Sequence, residues 1–108
     1  MRFDDTVTRR LRRGLLDRGM TLATLLAEAM SGRSGVDERR LTALGVGGKP
    51  GMTLREKLRW ALDRVESRRR LLDARDDAYG RCEVCHADLG ELALGEMPWA
   101  DRCRNHPD

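Results

Sequence analysis

The apolar positions of the chain fall into two helical stripes separated by a glycine-rich gap. In the first, Val7, Leu11, Leu15, Leu22, Leu25, Leu26 and Ala29 recur at steps of three, four and seven. Residues about 3.6 apart share one face of a helix, so this pattern predicts a helix over residues 4–30 with one apolar side. Asp4 or Asp5 supplies the N-cap, where a carboxylate also suits the helix dipole. Gly14 and Gly19 each weaken the helix by about 1 kcal/mol relative to Ala, and a kink is expected near Gly19.

The second stripe is Leu54, Leu58, Ala61, Leu62, Val65 and Leu72, and Tyr79 continues the heptad from Val65 and Leu72. It predicts a helix over residues 53–78. Thr53 followed by Glu56 is a capping box. Glu66 and Arg70 form a favourable i,i+4 pair. Trp60 stands beside the stripe and is expected to cover its edge.

Between the stripes, residues 31–52 hold six of the eleven glycines, namely Gly32, Gly35, Gly45, Gly47, Gly48 and Gly51, together with Pro50. Such a run cannot continue a helix. A short helical turn from Asp37 to Leu44 is expected inside it, with Leu41 and Leu44 packing back. The run Gly45-Val46-Gly47-Gly48-Lys49 lacks the spacing and the preceding strand of a phosphate loop. The expected fold is mainly α: an antiparallel, coiled-coil-like helical hairpin over residues 1–79, roughly 38 Å long. The glycine-rich loop would form its far tip.

Residues 80–108 change character. All three cysteines lie here, as Cys82-x2-Cys85 and, after seventeen residues, Cys103-x2-His106. Two ligands two residues apart can aim at one point from a single tight turn, and two such turns close a tetrahedron. That is the spacing of a structural zinc site. His86 directly follows Cys85 and competes with His106 for the fourth position; the offset from Cys103 favours His106. Four protein ligands leave no open position, which points to a structural ion and away from a catalytic one. Three cysteines would also leave one unpaired in a disulfide framework.

Composition agrees with a metal staple. The chain has 108 residues, 36% charged and only 4% aromatic. A core this thin gains from the folding free energy that metal binding supplies. Unbridged cysteines suit a reducing compartment, and the N-terminal residues lack the apolar stretch of a signal peptide. No apolar run is long enough to span a bilayer. A cytoplasmic location is expected.

The stretch from Tyr79 resembles the zinc-finger segment of the DksA/TraR family, bacterial regulators that act on RNA polymerase. The residues that carry the resemblance are Tyr79-Gly80-Arg81-Cys82, Cys85, Leu89-Gly90, Leu94, Pro98 and Cys103. They cover about a quarter of the chain, and the preceding helical segment extends the likeness loosely. His86 stands where the family usually has Gly, His106 where it usually has Cys, and Leu92-Ala93 replaces an Arg-rich run. The resemblance implies a transcription regulator whose hairpin enters the secondary channel of RNA polymerase, with acidic tip residues acting near the active site. The family's D-x-x-D-x-A tip pattern is absent. Asp37 and Glu38 are the candidate tip contacts, with Arg39 and Arg40 beside them.

Charge separates the other function classes. Residues 1–81 carry 19 basic and 12 acidic side chains, a net +7, while residues 82–108 carry 2 and 6, a net −4. Phosphate contacts need Lys and Arg, so the acidic finger is not expected to grip DNA. Arg9, Arg10, Arg12 and Arg13, and the run Arg68-Arg69-Arg70, read as solvated helix faces. Two alternatives remain: a zinc-stabilised module for another protein partner, and nucleic-acid binding through the basic helices. No nucleophile–base arrangement or cofactor loop suggests an enzyme.

Overall fold

The computed structural model describes residues 3–32 and 36–107. Gly35, within the expected tip loop, lies outside the described residues. Four helices are present among them: α1 (Asp5–Met30), α2 (Glu38–Ala43), α3 (Leu54–Asp73) and α4 (Glu91–Glu96). Among the described residues the β-type pairing is confined to an isolated bridge between Arg81 and Asp88.

Each of the first three helices starts on a side-chain cap. Asp4 accepts from the Val7 N–H at 2.8 Å, Asp37 from the Arg40 N–H at 2.8 Å, and Thr53 from the Glu56 N–H at 3.2 Å. Their ends are equally specific. After α2, the N–H of Gly45 reaches Thr42 O and that of Val46 reaches Leu41 O. Gly45 has φ 71°, so this is a Schellman cap, and its usual apolar contact is present because Leu41 and Val46 are both buried.

Helix α3 stops at Asp73, five residues short of the expected end. The same cap is responsible: Arg75 N–H donates to Leu72 O and Asp76 N–H to Leu71 O. Arg75 sits at φ 55°, a left-handed position that normally selects Gly. The signal is absent from the sequence because the residue is Arg. Helix α1 runs unbroken through Gly14 and Gly19.

Helices α1 and α3 pack along their apolar stripes, and their contacts run in reverse order. Arg12 pairs with Asp73, Gly19 lies against Val65, and Arg55 donates to Ala29 O. The two helices therefore run in opposite directions. Leu11, Leu15, Leu22, Leu25 and Leu26 from α1 and Leu58, Ala61, Val65 and Leu72 from α3 form the core, joined by Tyr79 and Leu94. Burying a Leu-sized side chain contributes about 1.5–3 kcal/mol, so these residues dominate the cohesion of the molecule.

The glycine-rich connector is not a bare tip. It folds back along the helix pair and adds Leu41 and Val46 to the core. Arg40 reaches Glu28 of α1 at 3.8 Å and Lys57 of α3 holds Glu38 at 2.8 Å, so α2 is fastened on both sides. Farther along, Arg18 donates to Leu44 O. Gly48, Lys49 and Pro50 then line a pocket of about 530 Å³ together with Glu83, Asp101 and Arg102 of the C-terminal unit. The connector thereby covers one side of the two-helix core.

Candidate metal centre

The sulfurs of Cys82, Cys85 and Cys103 and a ring nitrogen of His106 all lie within 4.8 Å of one another. Cys85 Sγ is 3.6 Å from Cys103 Sγ, and His106 Nδ1 is 3.3 Å from Cys103 Sγ and 3.9 Å from Cys82 Sγ. Tetrahedral ligands at about 2.0–2.3 Å from an ion imply donor–donor edges of roughly 3.5–3.8 Å. These three spacings lie close to that range, so the four residues could hold one metal ion. His106, and not His86, completes the group.

Local backbone geometry explains the convergence. Cys82 and Cys85 sit on a turn closed by His86 N–H donating to Cys82 O at 2.9 Å and Cys82 N–H donating to Ala87 O at 2.9 Å. Leu89 N–H then pairs with Gly80 O. His86 has φ 62°, is exposed and shapes the turn through its backbone, and it is not among the donors that cluster. The second turn is closed by His106 N–H donating to Cys103 O at 3.1 Å. Glu83 N–H donating to Asp101 O stitches the two turns together.

The electrostatics favour a thiolate at the buried corner. Burial of Cys82 opposes its charge, but the N–H groups of Cys85, Cys103 and Val84, with help from the Cys103 side chain, outweigh it and bring its pKa down to about 6. At Cys85 the Ala87 N–H favours the thiolate. Desolvation and the neighbouring Cys103 and Cys82 sulfurs win there, and its pKa is raised. A cation at the centre would relieve that crowding by charge compensation.

The unit is docked on the helices through Tyr79, which the heptad places on the apolar stripe, and through groups that the spacing does not mark. Tyr79 is fully buried and its hydroxyl donates to Pro98 O at 2.9 Å. Burial pushes its pKa up to about 12, with Arg68 acting the other way, so the phenol stays a donor. Phe3 meets the Tyr79 ring edge-on at 6.0 Å between centroids. Pro98 presses on α1 at Gly14, where a Cβ would fall 2.8 Å from its ring. Gly14 is thus a contact position and not merely a weak one.

Arginines of the helices complete the seam. Arg64 grips Asp101 with two nitrogens, and Asp101 is only 5% exposed. Arg68 is 7% exposed and reaches Glu83 at 3.3 Å, correcting its expected place on a solvated face. Arg18 stacks on Trp99 at 4.2 Å and Arg64 on Trp60 at 4.6 Å, so Trp60 has the packing role expected of it. The basic helices and the acidic C-terminal unit answer each other within the molecule. The available signal was the i,i+4 placement of Arg64 and Arg68 beside the apolar stripe of α3.

The candidate tip acids serve local structure. Asp37 caps α2 and Glu38 is held by Lys57. Arg12 is paired with Asp73, and Arg10 and Arg13 lie 4.0 and 3.9 Å from Glu91 and Asp17. No described helix is long and apolar enough to cross a membrane. Comparison with protein families, with curated proteins and with solved structures finds no match to this chain.

Proposed function

We propose that the chain is a zinc-stapled regulator of the DksA/TraR kind that acts by binding RNA polymerase, without catalysis of its own. Three thiols and one imidazole are the donor set that zinc prefers in closed structural sites. In this reading Cys82, Cys85, Cys103 and His106 hold the ion, and the finger they form is fixed to an antiparallel helical hairpin. The observation that carries it is the folding role of the residues behind the resemblance. Tyr79 and Pro98 bond to each other, Gly80 adopts φ 79°, Leu94 is fully buried, and the cysteines converge. The motif residues thus work as one unit.

Asp37 and Glu38 are given no polymerase contact here, since capping and the Lys57 pair occupy them. Binding to the polymerase is assigned to the hairpin and finger as a body, with the secondary channel as the expected entry. The test is capture of core RNA polymerase by the purified, metal-loaded protein, with competition by a known channel-binding factor. Competed capture is the expected result. A folded, metal-loaded protein that captures no polymerase overturns the reading.

A second reading, a zinc-stabilised module for a different protein, is favoured by the same engagement of Asp37 and Glu38. It predicts specific capture of that partner and indifference to the competing factor. Nucleic-acid binding is less favoured, because Arg12, Arg64 and Arg68 already face carboxylates within the chain.

A further inference from the structure

Four segments of the chain meet around a small, largely enclosed cavity of about 20 Å³. Arg18 of α1, Trp60 and Arg64 of α3, the connector at residues 45–47 and Trp99 of the C-terminal unit line it. A void of about 10–15 Å³ is enough for one water-sized particle, so this one takes a single small occupant. Its lining includes two guanidinium groups and, among the described residues, no carboxylate. The two arginines differ in how their charges are met. Arg64 clasps Asp101. Arg18 has no carboxylate partner among the described residues: it donates to Leu44 O and lies over the Trp99 ring. Its Nε is buried without a hydrogen-bond partner among them. Burial first, and the charge of Arg64 second, push its pKa below the usual arginine value.

We propose that this cavity is a site for one monoatomic anion, chloride in ordinary salt, which serves as the counter-ion of Arg18. An arginine stays charged when it is desolvated, so its charge must be met where it stands. Water would satisfy the unpaired N–H and leave the charge uncompensated. An anion does both, and a hydrogen bond between two ionised groups is the stronger kind.

Charge and size set the class of ligand. Arg18 and Arg64 against Asp101 leave one positive charge, which a single halide neutralises. Sulfate and phosphate carry four oxygens around a central atom and exceed a void of one water, whereas chloride is little larger than water. Held there, the ion ties α1, α3, the connector and the C-terminal unit together at one point. None of the residues that line the cavity belongs to the Cys/His cluster, so the inference is independent of the metal centre and of the polymerase reading.

Both tryptophans of the chain border the cavity, so bromide, a heavy halide that quenches indole emission on contact, reports on it. The full chain is titrated with sodium bromide, and sodium gluconate keeps the ionic strength and the screening constant. Occupancy should add a saturable component, half-complete at roughly 1–100 mM, to the linear collisional quenching. Chloride should suppress that component, and sulfate at the same ionic strength should not. Arg18→Met removes the charge with another good helix former and should abolish the component. Ala61→Val fills the cavity from α3 and leaves both arginines in place; it should abolish the component too. Arg13→Met, at an exposed position, should keep it. Circular dichroism checks the fold of each variant, and the competition between chloride and sulfate decides the matter in the unaltered chain. Purely linear quenching, equal suppression by sulfate, or a saturable component that survives in a folded Arg18→Met variant would each overturn the proposal and leave the cavity to water.

Discussion

Arg64 of α3 clasps Asp101, two residues before Cys103, and does so on the stacked face of Trp60. The clasp links the helix pair to the turn that carries Cys103 and His106, while the main chain of Asp101 reaches the turn of Cys82 and Cys85 through Glu83 N–H. One acidic residue thus positions both halves of the candidate centre without belonging to the donor cluster.

Replacing Asp101 by Ala should destabilise the fold by about 2–3 kcal/mol. This lies below the full cost of breaking a buried ion pair, about 3–5 kcal/mol, because the Arg64 side chain keeps 19% exposure and its aromatic stack. Urea unfolding monitored by circular dichroism measures it. Metal affinity should fall in the same variant, whereas Arg70→Ala, which removes an exposed pair with Glu66, should change stability by no more than about 0.5 kcal/mol.

The two glycines of α1 should respond in opposite directions. Gly19→Ala places a methyl in ordinary contact with Val65, 3.6 Å away, and should stabilise by about 0.5–1 kcal/mol through helix propensity. Gly14→Ala drives a methyl to 2.8 Å from the Pro98 ring. Overpacking of this kind costs about 1–3 kcal/mol, so the variant should be less stable despite the better helix former. Thermal melts of the pair decide it.

Much of this fold was legible because it depends on local periodicity and caps. The stripes of α1 and α3, the short helix after Asp37 and the Thr53 cap all rest on side-chain spacing. The helix end at Asp73 was not legible, because Arg75 takes a left-handed position that composition assigns to Gly. The return of the connector was hidden for another reason. Glycine-rich sequence states that helix is broken, but the direction of the chain afterwards depends on tertiary partners: Arg18 at Leu44 O, Lys57 at Glu38, and the core space taken by Val46. In the centre, spacing alone named Cys82, Cys85, Cys103 and His106, since two short turns dictate it. Asp101 and Glu83 carry no such spacing and emerge only from packing, while Arg64 and Arg68 are marked only by their i,i+4 placement beside the α3 stripe.

His86 and His106 differ by backbone role and should separate by substitution. His86→Gly removes a left-handed strain worth about 1 kcal/mol and should raise stability with metal content unchanged. His106→Ala removes a donor 3.3 Å from Cys103 Sγ and should weaken metal binding in a chelator titration. The reverse ranking would move the fourth ligand to His86.

Metal retention should depend on pH. Cys82 has its pKa brought from 9.0 down to about 6, so its folded-state anion is favoured above the unfolded value. That contribution is complete above about 9 and is lost as pH falls through about 6. Protonation of the thiolates competes with a bound cation, so ion release followed with a colorimetric chelator should increase as pH is lowered. Cys82→Ser, with no comparable anion, should release the ion even at neutral pH.

The most direct test is the metal content of the purified chain, measured by elemental analysis alongside its fold before and after chelation. The account predicts about one zinc per chain, with chelation disordering residues 80–107 while α1 and α3 keep much of their helical signal. A protein that carries no metal and yet holds its C-terminal unit in order would contradict it.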